Sequence, residues 1–204
     1  MSSEEIRRAS VSELITRGYG IPEHIPPTEV RSVLSSKMVL ARLACLHLCA
    51  AVAYGFSSEQ ALAWAEAEGV QDALDPRESR FLNKPSRSSC FQQQIEGMFT
   101  LTWALGLEDE LDWFSAVDDQ FAGRLPDLRI AEGLAPFKQR IAPRDQAQIA
   151  RATDLGYCVH WLWREAALAR GKPLPVEEYV IAERRRALEW LTGNGGWYEI
   201  SLDT

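Results

Sequence analysis

Residues 35–55 read SSKMVLARLACLHLCAAVAYG. From Met38 to Phe56 the run is apolar on every face, with Arg42 as its one formal charge and His47 as its other polar ring. A bilayer span needs roughly 20 predominantly apolar residues, and only 14 follow Arg42 before the run ends at Phe56. The better reading is a helix buried in a protein core, from Ser35 or Ser36 to Tyr54 and stopped by Gly55. A helix apolar all round needs other helices packed around it.

The flanks supply them. Ser2 stands three residues before Glu5, a capping-box pattern, and the helix it opens stops at Gly18-Tyr19-Gly20. Pro22, Pro26 and Pro27 then make an extended connector as far as Thr28. Ser57 with Gln60 caps a helix through Ala67, closed by Gly69, and Asp75-Pro76 opens a short one. A further helix is expected from about Ser89 to Leu105, stopped by Gly106. Pro143 begins the longest, through about Arg170, with Gly171 and Pro173 as stop signals, and the last runs from Val176 to Leu191. The tail Asn194–Thr204 carries Trp197, Tyr198, Ile200 and Leu202 with which to dock. No segment alternates like a strand, and no repeat or long linker divides the chain. The expected architecture is an all-α, single-domain multi-helix bundle over 1–204 with a short docked C-terminal tail. At 204 residues such a domain buries about 70% of its unfolded surface, so it needs no disulfide or metal staple.

Charge is unevenly spread. The chain carries 22 basic and 29 acidic side chains, a net charge of −7. Eight acids, Glu108, Asp109, Glu110, Asp112, Asp118, Asp119, Asp127 and Glu132, face only Arg124 and Arg129 between 108 and 132, so six of the seven net charges fall in 25 residues. That balance argues against nucleic acid and against an anionic membrane as partners. The N-terminus has no apolar leader. The four cysteines, Cys45, Cys49, Cys90 and Cys158, form no C-x-x-C pair and read as thiols of a reducing compartment. The expected location is the cytoplasm.

Phosphate-cradling glycine loops, nucleophile elbows and zinc-protease motifs are absent. Of three histidines, His24 lies in the connector, His47 in the core run and His160 in the longest helix. His47 sits two residues from both Cys45 and Cys49, the wrong helical phase for joint ligation, so neither a metal nor another cofactor is expected. One polar set does stand out. On a helix Asp154, Tyr157, Trp161 and Arg164 share a face, with His160 beside Tyr157. Acid, phenol and imidazole there suit proton transfer, with Asp154 and His160 as the catalytic candidates. Tyr157, Trp161 and Arg184 are the ligand-binding candidates. The alternative is that these are core residues with satisfied hydrogen bonds.

Arg184 falls on the apolar stripe of Val180, Ala187 and Leu191 and therefore needs a carboxylate, for which Asp154 and Glu183 are candidates. Arg42 poses the same question, with Glu96 as one possible partner. In Arg184-Arg185-Arg186 the side chains diverge by about 100° each, which predicts one buried arginine and otherwise solvated surface. Within the acidic stretch, Trp113 and Phe114 are either an exposed partner-binding pair or an anchor for the loop.

Arg42-Leu43-Ala44, Trp103-Ala104-Leu105-Gly106, Asp154-x-x-Tyr157-x-x-His160-Trp161, Glu183-Arg184-x-x-Ala187-Leu188-x-Trp190-Leu191 and the closing Trp197 and Asp203-Thr204 together resemble the bacterial domain-of-unknown-function family DUF4272. The resemblance spans nearly the whole chain and implies a single domain. It departs at Cys90-Phe91-Gln92, where the family favours Trp-Arg, and at Tyr198, where it favours an acid.

Two functions follow as expectations. The first is a non-enzymatic interaction module that meets a protein partner through Glu108, Asp109, Glu110, Asp112, Trp113 and Phe114, of which a toxin-neutralising, immunity-like role is one form. The second is a metal-independent enzyme or anionic-ligand binder at the Asp154 cluster.

Overall fold

The computed structural model describes residues 1–21, 25–168, 170–193 and 195–203. Pro22 and His24 of the connector, and Asn194 and Thr204 of the tail, lie outside the described residues. Its α-helices are α1 (Ser3–Thr16), α2 (Ser36–Ala53), α3 (Ser58–Ala67), α4 (Pro76–Asn83), α5 (Ser89–Gln93), α6 (Ile95–Ala104), α7 (Ala135–Arg140), α8 (Gln146–Ala167) and α9 (Glu178–Thr192). Helix accounts for 61% of the chain, with no strand among the described residues, so the fold is all-α.

Local chemistry sets most boundaries. The Ser2–Glu5 capping box opens α1, and Asp75 with Glu78 opens α4 behind Pro76; each such cap is worth about 1 kcal/mol. Helix α8 starts at Gln146 rather than Pro143, because Asp145 accepts from the Gln148 amide while the Gln148 side chain caps Asp145 in return. It ends at Ala167, short of Arg170. The expected Ser89–Leu105 helix is two helices, divided at Gln94, where ψ tightens to −7°. Helix α9 begins at Glu178, two residues past Val176. Helix α7 and the short 3-10 turns at Gln71–Ala73, Phe121–Arg124, Leu128–Ile130 and Trp197–Glu199 are additions to the sequence reading.

Packing divides the chain into two compact units. One comprises Met1–Leu34, Glu110–Ala116 and Arg144–Thr204; the other comprises Ser35–Asp109 and Val117–Pro143. In the first, α8 packs against both α1 and α9. Ile6 and Leu14 of α1, Ile149 and Val159 of α8, and Ile181 and Leu188 of α9 form its interior. Trp197 is buried and meets Trp190 edge to face at 5.7 Å, so the tail docks on α9.

In the second unit α2 is the hub, touching α3, α4, α5 and α6. It is the one described helix long and apolar enough to pass as a membrane span, and 67% of it is buried among its neighbours, as a core helix requires. Cys45 and Cys49 sit inside it, and burial pushes the Cys45 thiol up to about 12. Cys158 of α8 is likewise buried and raised, whereas Cys90 is exposed.

Arg42 answers its buried charge with Glu78 of α4, its hydrogen-bond and ion-pair partner. Glu96 accepts from the Val117 amide at 3.0 Å. The reason is local. Capping at Asp75 fixes the first turn of α4, and the carboxylate that closes that cap at 2.9 Å is the one that meets Arg42.

Candidate functional site

Helix α8 carries the sequence-predicted cluster, and two neighbouring segments of its own unit complete it. Asp154 is 0% exposed. Its Oδ2 accepts from Arg7 Nε at 3.0 Å, and its Oδ1 accepts from Arg7 Nη2 at 2.8 Å, the Thr28 amide at 3.0 Å and the Thr28 hydroxyl at 3.2 Å. Burial alone would raise this carboxyl; the bonds from Arg7, Thr28 and Ser10 outweigh it and hold the group below its ordinary value. Arg7 spends its remaining donors on the carbonyls of Ile25 and Pro26, at 2.5 and 2.9 Å. One buried ion pair therefore ties α1 and the connector to α8.

Tyr157 is half-buried between two guanidiniums, 5.9 Å from Arg7 and 5.0 Å from Arg185. Arg185 reaches His160 Nδ1 at 2.8 Å. An arginine can only donate, so Nδ1 accepts and the ring proton sits on Nε2. The same guanidinium donates to the carbonyls of Leu202 and Asp203 at 3.0 and 3.1 Å, and its Nε lies 3.5 Å from Glu189. His160 thus belongs to a clamp on the C-terminal tail. Trp161 is half-buried and Arg164 exposed.

The two arginine expectations are corrected here. Arg184, 1% exposed, donates to the Asp112 carbonyl, not to Asp154 or Glu183. Asp154 is taken by Arg7, and Glu183 pairs with Arg186 at 3.2 Å. In the triplet both Arg184 and Arg185 are buried, Arg185 beneath the docked tail and Arg184 against the Asp112 carbonyl. The structure therefore brings Asp154, Tyr157 and His160 into one network and leaves Arg184 out of it. It adds Arg7 and Arg185, which the sequence reading did not select.

His160 makes that network sensitive to acid. Burial first, then the charges of Arg185 and Arg164, push its imidazole down from 6.5 to about 4. The unfolded chain binds this proton near pH 6.5 and the folded chain does not, so stability falls as pH drops from 6.5 toward 4. The loss attributable to this one group reaches about 3 kcal/mol. Urea titrations of wild type and His160→Gln across that window are expected to diverge in this sense. Parallel pH profiles would remove His160 as the source.

The acidic stretch is divided between the units. In the first, Asp112 pairs with Arg17 at 3.4 Å and caps the Phe114 amide at 3.3 Å, and Glu110 is exposed. Trp113 is 2% exposed and lies over Gly156, where a Cβ would come 2.4 Å from its ring. Phe114, half-buried, stacks on Tyr19 at 5.4 Å with Arg17 over its ring. Of the two readings of Trp113 and Phe114, this geometry favours the loop anchor.

In the second unit Arg124 bridges Glu108 and Asp118, at 2.8 Å from each. Asp109 and Asp119 are exposed beside them. Asp127 pairs with Arg129 at 2.7 Å, and Glu132 accepts from the Asp127 amide at 2.8 Å. His47 bonds the Pro126 carbonyl at 2.9 Å. Among the described residues no group of three or more His, Cys, Asp or Glu side chains is placed to hold a metal ion.

Comparison with curated proteins and with solved structures gives no match. The family model described as Domain of unknown function (DUF4272) does match, over residues 7–200. That span holds both the Arg7–Asp154 pair and the Tyr157–His160–Arg185 clamp, and the chain belongs to this family.

Proposed function

We propose that the protein is a cytosolic, non-enzymatic helical module that binds a basic protein partner through the acidic surface of its second unit. The observation that supports this is the bridge through Arg124, which gathers Glu108 and Asp118 on one arginine and leaves Asp119 exposed beside them. A surface of one sign attracts an oppositely charged partner over several ångströms and acts mainly on the rate of encounter. Neutralising a basic toxin, in the manner of an immunity protein, is one form of this role.

The competing reading, an enzyme or anion binder at Asp154, Tyr157, His160, Trp161 and Arg184, requires Asp154 and His160 to give up the arginines that hold them. Leaving a buried ion pair half-made costs several kcal/mol, which disfavours it.

The test is capture from a cell lysate by immobilised protein, followed by association kinetics with whatever is captured. The Asp119→Asn variant is expected to slow association at low salt and leave thermal unfolding within about 0.5 kcal/mol of wild type. Salt should erase the difference. A captured partner that associates equally fast with both proteins would sink the proposal.

A further inference from the structure

The second unit also contains a cleft of about 510 Å3, inside the size range of small-molecule sites. Its walls are apolar: Leu40 from α2, Val70 from the turn after α3, Leu134 ahead of α7 and Ile141 behind it. Two bonds fix the far wall. Trp64 Nε1 donates to the Glu132 carbonyl at 2.9 Å, and Glu68 accepts from the Leu134 amide at 3.0 Å. Gly133 is packed so closely that a Cβ there would lie 2.5 Å from the Glu68 carboxylate. The walls are therefore held by directional bonds.

The rim is where this cleft departs from the rest of the chain. It carries Lys37 and Lys138, two of only four lysines in the sequence. Both are exposed, and no ion pair or hydrogen bond engages either ammonium among the described residues. Against these two lysines the lining has one acid, Glu68, whose carboxylate is turned to the Leu134 amide. An acidic protein thus has an apolar cleft whose lining, two lysines against one glutamate, is positive on balance. Single ammonium groups act as point charges, and the lining contains no guanidinium fork of the kind that grips a phosphate at two oxygens. The complementary ligand carries one negative charge on an apolar body.

We propose that this cleft binds a small monocarboxylate with an aliphatic body, its chain against Leu40, Val70, Leu134 and Ile141 and its carboxylate between Lys37 and Lys138. This site is independent of the acidic surface, and nothing in it depends on a protein partner.

Octanoate is the probe, with octylamine and octanol as matched controls, each titrated into the full chain and followed by calorimetry and amide NMR shifts. Octanoate is expected to bind and shift the amides of 36–41, 68–70 and 134–141. Lys37→Gln with Lys138→Gln should weaken it about tenfold; both side chains are exposed, so the variant folds. Octylamine should bind at least tenfold more weakly than octanoate. Val70→Trp, which fills the cleft, should abolish the shifts while the lysine variant serves as the folded comparison. Failure of octanoate to shift these amides overturns the proposal. So does equal binding of octylamine or octanol, or undiminished binding by the double lysine variant. An acidic, leucine-rich peptide that shifts the same amides when octanoate does not would reassign the cleft to a protein segment.

Discussion

Asp154→Ala is expected to lower the unfolding free energy by about 3–5 kcal/mol, a large share of the 5–15 kcal/mol that holds a typical domain. The alanine removes four hydrogen bonds at once, two from Arg7 and two from Thr28. The larger harm is to what remains. Arg7, whose side chain is 9% exposed, keeps its charge and only the carbonyls of Ile25 and Pro26 to balance it. Asp154→Asn, which preserves shape and loses the charge, should fall between wild type and alanine. Removing both members is the decisive control. Arg7→Met with Asp154→Leu should regain most of the loss, because two apolar side chains need no compensation. Chemical denaturation of the three variants measures this, and a double variant no more stable than Asp154→Ala would mean the pair is not a self-contained unit.

The second large effect is expected at Gly106. Its φ of +73° lies in the left-handed region, and its amide and that of Leu107 close the end of α6 on the carbonyls of Trp103 and Thr102 at 2.9 Å each. A Cβ there would stand 1.9 Å from the Ala142 carbonyl oxygen. That oxygen is backbone, and its own residue is tied back by the Ala142 amide to Leu105 at 3.0 Å. No rotamer change relieves the clash. Gly106→Ala combines about 1–2 kcal/mol of backbone strain with the loss of that strap bond, for a total of about 3–4 kcal/mol. Gly55→Ala supplies the comparison, since its φ is also positive, +100°, and nothing lies within 4 Å of its would-be Cβ. Only the strain should register there. Equal destabilisation at both glycines would exclude the clash as the cause.

These features differ in how far the sequence discloses them. Capping at Ser2 and Asp75 and the stops at Gly18, Gly55, Gly69 and Gly106 are contacts within five residues, so they read directly from the string. The Asp145–Gln148 box was equally local, but Pro143 offered a competing start two residues earlier. Helix α7 gave little signal: it spans six residues and has no side-chain cap. The need for partners at Arg42 and Arg184 followed from their place on apolar stripes. Which partners they take did not, since that depends on how whole helices pack.

Arg7 is the instructive omission. It lies three residues before Ser10 and seven before Leu14, both buried, so the stripe argument that singled out Arg184 applies to it as well. Its charged neighbours Glu4, Glu5 and Arg8 mask that stripe. Arg185 carried no such clue, because it is the returning tail that makes it interior.

The Arg7–Asp154 pair also sets a timetable. Its members are 147 residues apart in sequence, and ribosomes add about 5–20 residues per second. Helix α1 therefore leaves the ribosome roughly 7–30 s before α8 exists to receive it. Throughout that interval α1 lacks the α8 surface it packs against, while the other unit can gather around α2. A helix made early is thus placed late, and the nascent chain depends on whatever shields that helix in the meantime.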